Sequence, residues 1–68
     1  MDNDWIAVFI TGKYYQALFA RECLDDEGIE SVIMNKQDST YLFGDVELFV
    51  RQIDVIKAKH ILKSAGIE

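Results

Sequence analysis

The chain has 68 residues, half of them apolar, with a net charge of −5 and a single cysteine. That length holds one domain, residues 1–68, and the apolar content excludes a disordered chain. One cysteine excludes an internal disulfide, the lack of a His/Cys cluster argues against a bound metal, and the negative charge repels phosphate backbones, so no nucleic acid partner is expected.

The start, Met1-Asp2-Asn3-Asp4, lacks the basic region that opens a secretory signal. The longest apolar run, Trp5 to Ile10, is far too short to span a bilayer. A cytoplasmic location without membrane attachment is expected. A chain this short buries only about 60% of the surface its unfolded form exposes, so pairing with a second copy, a homodimer, is expected to add stability.

Residues 5 to 11, Trp-Ile-Ala-Val-Phe-Ile-Thr, are β-branched and aromatic and predict a first strand with two apolar faces. Strict alternation puts Ile6, Val8 and Ile10 on one face and Trp5, Ala7 and Phe9 on the other. Thr11-Gly12 ends the strand, with Thr11 as the candidate cap of the next helix.

The first helix is predicted from Lys13 to Glu27. Ala17, Ala20 and Leu24 fall on its buried stripe together with the stem of Arg21, and Cys23 flanks them. Tyr15 and Phe19 fall on the far side, as scattered surface aromatics or as a contact surface. The last turn carries Asp25, Asp26 and Glu27, with Glu22 and Glu30 nearby. Acids there oppose the helix dipole; they form either a solvated acidic surface or a docking patch for a basic partner. Gly28 then closes the helix in the left-handed conformation, and Ile29 folds back on the last turn.

The second strand is predicted over Ile29 to Asn35, with Ile29, Ser31 and Ile33 under the helices and Val32 and Met34 on the opposite face. Residues 36 to 45 make a connection longer than a hairpin needs. Its polar members Asn35, Lys36, Asp38, Ser39 and Tyr41 are the candidate binding residues, with Tyr41 and Phe43 as anchors on the sheet; the alternative is that Asp38 and Ser39 only shape a turn. The third strand, Val46 to Arg51, alternates cleanly, with Val46, Leu48 and Val50 inward. The second helix is predicted from Gln52 to Ala65, with Val55, Ala58, Leu62 and Ala65 as its core stripe and Lys57, His60 and Lys63 in water.

The chain carries an internal repeat. Ala20, Cys23, Leu24, Gly28, Ile29 and Glu30 map onto Ala58, Ile61, Leu62, Gly66, Ile67 and Glu68, and upstream Val8 and Ile10 map onto Val46 and Leu48. The order is β-α-β-β-α. Right-handed crossover places the third strand between the other two and antiparallel to both. The fold expected is α+β, a three-stranded antiparallel sheet of order 1-3-2 with both helices on one face, ferredoxin-like without its fourth strand. The helix-free face and the free edge of the first strand then need cover. Trp5, Phe9, Met34 and Phe49 are the candidate interface residues there.

Gly28-Ile29-Glu30, the run Asn35-Lys36-Gln37-Asp38-Ser39, and Val50-Arg51 followed by Asp54, Lys57, Ala58, Ile61 and Leu62 resemble a small bacterial family described as "putative prokaryotic signal-transducing protein", a domain of unknown function. The stretch Tyr41 to Val50 resembles its Bacteroidetes branch. The resemblance implies the β-α-β-β-α fold and a cytoplasmic bacterial origin, and it carries over no catalytic residue and no cofactor.

Catalysis by a nucleophile needs a base and an orienting group that converge on it. The one Cys and one His are expected on different helix faces, and no glycine-rich phosphate loop is present. The chain is therefore expected to be no enzyme. It reads as a small binding or regulatory module for an unidentified ligand; the alternative is a protein-interaction adaptor docking through its open sheet face and the 35–45 loop.

Overall fold

A computed structural model describes residues 4–37 and 44–67. The elements run β1 (Trp5–Thr11), α1 (Tyr14–Asp26), β2 (Ser31–Asn35), β3 (Val46–Arg51), a 3-10 turn (Gln52–Asp54) and α2 (Val55–Ser64). The sheet order is β1-β3-β2, with β3 antiparallel to both neighbours. This is the expected α+β arrangement. The connection β1–α1–β2 must return to the same sheet with β3 between its strands, and β1 and β2 become the edges.

The alternation of β3 sets the two faces. Val46, Leu48 and Val50 are fully buried, while Glu47 and Phe49 between them are half-exposed. On the buried side lie Ala20 and Leu24 of α1 and Ala58 and Leu62 of α2, packed with Ile29. Alanines at the contact positions let both helices approach the sheet closely, and the two leucines fill the remaining space. Burial of one such leucine stabilises the fold by about 1.5–3 kcal/mol.

Both helices end by the same device. At the end of α1, the Ile29 N–H donates to the Leu24 carbonyl at 2.9 Å and the Gly28 N–H to the Asp25 carbonyl at 2.9 Å. At the end of α2, Ile67 donates to Leu62 at 3.0 Å and Gly66 to Lys63 at 3.1 Å. These are the paired bonds of a Schellman closure, which requires a left-handed residue just past the cap. Gly28 and Gly66 supply it, at φ of +78° and +75°. Each closure turns its isoleucine back onto the core, where Ile29 is buried and Ile67 packs from the edge. The start of α1 differs from expectation in detail. Thr11 stands two residues before the N-cap position, Lys13, and its hydroxyl accepts the Lys13 N–H at 3.1 Å while donating to the Gln16 side chain.

The alternation expected for β1 fails at its centre. Trp5, Ile6 and Ala7 oppose Arg51, Val50 and Phe49, but Phe9, not Val8, opposes Leu48. Val8 is the extra residue of a β-bulge, and every later side chain changes face. Phe9, expected on the helix-free face, packs against the core instead, beside buried Val8. Ile10, expected in the core, opposes Glu47 and is 57% exposed. The upstream repeat breaks at the same point: Val8 and Val46 are both buried, whereas Ile10 and Leu48 are on opposite faces. β2 follows the expected phase, with Ser31 and Ile33 opposite Val50 and Leu48 and with Val32 and Met34 opposite Phe49 and Glu47.

Because Leu24 and Leu62 are fully buried at both helix closures, truncating either leaves a cavity where helix, sheet and cap meet. Leu62→Ala should lower stability by about 2–5 kcal/mol, a large share of what so small a domain possesses. Denaturant melts followed by far-ultraviolet dichroism check it, and a midpoint equal to the parent's would contradict this packing.

Candidate functional site

The face of the sheet turned away from the described helices is built in rows by the strand register. Trp5 sits beside Arg51; Ala7, Phe49 and Val32 make the central row; Ile10, Glu47 and Met34 make the third. The centre is apolar, with Phe49 and Val32 half-buried. Of the four candidate interface residues, Trp5, Phe49 and Met34 therefore lie on this face, and the bulge removes Phe9 from it.

Charged groups frame the strip at both ends. At one end the Arg51 guanidinium lies 4.8 Å from the centre of the Trp5 ring, with Nε 3.3 Å from Glu30 Oε1 and Nη1 3.2 Å from Asp4 Oδ2. Its pKa is raised, first by the hydrogen bond to Asp4 and then by that to Glu30. A planar guanidinium can stack on an indole and serve two carboxylates at once, which an ammonium cannot. At the other end Lys36 Nζ lies 2.9 Å from Glu47 Oε2. Exposed pairs of this kind add little stability. They place opposite charges at both ends of an apolar centre, a pattern suited to recognition.

The entry to the long connection is closed tightly. The Lys36 N–H donates to the Asp45 carbonyl at 3.0 Å, one residue beyond the β2–β3 ladder. Asn35 Oδ1 accepts the Gln37 N–H at 2.9 Å, a local turn bond. The Gln37 side-chain amide crosses to the Gly12 carbonyl, tying the connection to the β1–α1 turn. Gly44 is at φ +105°, and a Cβ there would lie 2.6 Å from the Lys36 carbonyl oxygen. Of the candidate binding residues, Asn35 thus shapes the turn and Lys36 belongs to the open face through Glu47. Asp38, Ser39 and Tyr41 lie outside the described residues, as does Phe43.

Other features were not anticipated from sequence. Cys23 and His60, expected on different helix faces, line one groove between α1 and α2 with Asp26 and Glu27. Adjacent helices bring together residues that separate helical wheels place apart. Among the described residues no three of His, Cys, Asp and Glu are placed to hold a metal ion. Ile53 and Ile56 stand almost wholly in water. The signal for them was available: Ile56 falls opposite the stripe Val55, Ala58, Leu62. Tyr15 and Phe19 are exposed as expected and border a groove with Gly66 and Ile67. No described helix is long and apolar enough to cross a membrane.

A family model described as "Putative prokaryotic signal transducing protein" matches residues 5–68. No curated protein and no solved structure matches the chain.

The close approach at Gly44 generates a test of the connection's neck. Gly44→Ala combines a clash with backbone and a left-handed φ, and should cost about 1–3 kcal/mol. Gly12→Ala, where a Cβ would meet no atom within 4 Å, serves as the control and should melt close to the parent. Equal melting of the two variants would show that the neck is not closed as described.

Proposed function

The chain belongs to this family of signal-transducing description, and from that premise we propose that it is a non-catalytic binding and regulatory module whose recognition surface is the open face of the sheet. The observation that carries this reading is the row Ala7, Phe49, Val32 framed by the Lys36–Glu47 pair and the Arg51 cluster. An apolar centre supplies affinity through burial, and fixed charges at its ends supply orientation. The reading has the module work in the bacterial cytoplasm as a homodimer, without a cofactor and without nucleic acid or membrane as partner. The absence of catalysis is supported by the setting of Cys23 and His60: the thiol is half-buried, the imidazole exposed, and their groove opens to solvent. Neither is enclosed as activated nucleophiles and bases are.

A second reading, a protein-interaction adaptor, is favoured by one observation. Lys36, at the closed neck of the connection, reaches Glu47 on the open face. A protein partner would then contact both the strip and the loop, including Lys36 and Asp38.

Thermal melts against a metabolite panel separate the two. A ligand at 100 times its Kd stabilises by about 2.7 kcal/mol, which moves the midpoint of so small a domain by many degrees. A ligand-binding module should show such a shift, and Phe49→Glu should erase it. An adaptor should show none, and should instead retain a protein that the Lys36→Ala/Asp38→Ala variant releases. A ligand whose shift survives Phe49→Glu in full would remove the open face as its site.

A further inference from the structure

The two edges of the sheet differ. β1 is interrupted by the Val8 bulge and flanked by Lys59 and Ile67. β2 is regular: its residues Ser31–Asn35 pair with β3 without a register shift, and no strand lies on its other side among the described residues. In an antiparallel ladder, alternate residues direct their N–H and C=O groups to opposite edges. The Lys36 N–H points at β3, where it donates to the Asp45 carbonyl at 3.0 Å. Ser31, Ile33 and Asn35 therefore direct theirs outward, a row of donors and acceptors that another strand can satisfy. The side chains alternate as well. Glu30, Val32, Met34 and Lys36 belong to the open face, and Ser31, Ile33 and Asn35 to the helix side. Along this edge, between α1 and the start of β2, runs a groove of about 700 Å³ lined by Leu18, Ile29 and Ser31 among others. The buried Ser31 Oγ has no hydrogen-bond partner among the described residues.

We propose that a second copy of this chain pairs with the outer edge of β2, antiparallel across a two-fold axis at Ile33, so that the two sheets become one. The register carries the argument. With Ile33 opposite itself, Ser31 and Asn35 oppose each other, as do Val32 and Met34, and Glu30 opposes Lys36. The pairs Ser31–Asn35 and Ile33–Ile33 are the hydrogen-bonded ones, because these residues direct their backbone groups outward. Ser31, with its unpartnered hydroxyl, comes opposite an amide side chain able to donate to it. Glu30 and Lys36 are directly opposed on the open face and of opposite sign, and the axis makes that contact twice. Moving the axis to Val32 sets Glu30 against Met34, and moving it to Met34 sets Lys36 against Val32, so only the Ile33 register matches the charges. It also makes one alternating row: Arg51 holds Glu30 at 3.3 Å and Lys36 holds Glu47 at 2.9 Å, and the Glu30–Lys36 contact joins the first pair of one copy to the second pair of the other. A chain of net charge −5 repels its own copies, and this edge sets a cation against an acid at both ends of the seam. The proposal goes beyond the recognition role of the open face by naming how the second copy attaches. Val32 of one copy meets Met34 of the other, so the two apolar strips become continuous.

Sedimentation at high micromolar concentration and low salt, with amide hydrogen exchange on the same samples, tests it. The parent should be dimeric, with the Ser31, Ile33 and Asn35 amides protected, and that protection should be lost on dilution while the amides bonded to β3 keep theirs. Glu30→Lys alone and Lys36→Glu alone should each weaken association about tenfold or more, since each sets like charges together at both ends of the seam. Both should keep the parent's far-ultraviolet dichroism, because exposed ion pairs add little to the fold. Their equimolar mixture should dimerise, since in the mixed pair each position 30 again faces an opposite charge at position 36. A monomeric parent overturns the proposal, as does a mixture that stays monomeric. So does a dimer in which the Ile33 amide exchanges as freely as after dilution, which would place the second copy on another surface, the open face if Phe49→Glu dissolves it. None of these outcomes bears on ligand binding at the open face, which the metabolite melts decide separately.

Discussion

The closure of each helix by Gly and Ile is the constraint on which the rest of the structure depends. A helix that ends in a left-handed glycine must send the next residue back along its own last turn. At Gly28 this places Ile29 in the core and starts β2 beside β3; at Gly66 it brings Ile67 down to the edge of β1. Leu24 and Leu62 accept the closing hydrogen bonds through their carbonyls and fill the core with their side chains. One residue thus joins backbone satisfaction to hydrophobic burial at each helix end. In a domain with no disulfide, this coupling fixes how the helices sit on the sheet.

The bulge at Val8 is the second determinant, and it acts on the other face. By taking an extra residue into the core, β1 buries Val8 and packs a half-buried Phe9 against the same cluster. The open face receives Ile10 in exchange, beside Glu47. The result is a narrow apolar strip between charged ends rather than a broad aromatic sheet. Bulges also disturb an edge strand, which makes simple edge-to-edge pairing at β1 less favourable.

Charge is distributed by element. α1 ends in Asp25 and Asp26 with no basic residue in its last turn, whereas α2 carries its lysines along its length and Lys63 in its last turn. Lys63 favours its own helix dipole and the α1 acids oppose theirs.

By itself, the sequence determined the element order, the helix closures and the sheet topology. These follow from local periodicity, from the steric permission of Gly28 and Gly66, and from the fixed hand of the crossover. The face of β3 was equally legible, because its apolar and polar residues alternate. β1 was not, because Trp5 to Ile10 is apolar on both faces and carries no phase; only pairing with β3 decides where the extra residue goes. The same holds for the candidate site. Asn35 could be read as a turn residue, but the partner of Lys36 is set by the register that brings it next to Glu47. The grouping of Cys23 with His60 depends on how two helices lie on one sheet. Contacts between residues distant in the chain are properties of packing, and no periodicity along the chain encodes them.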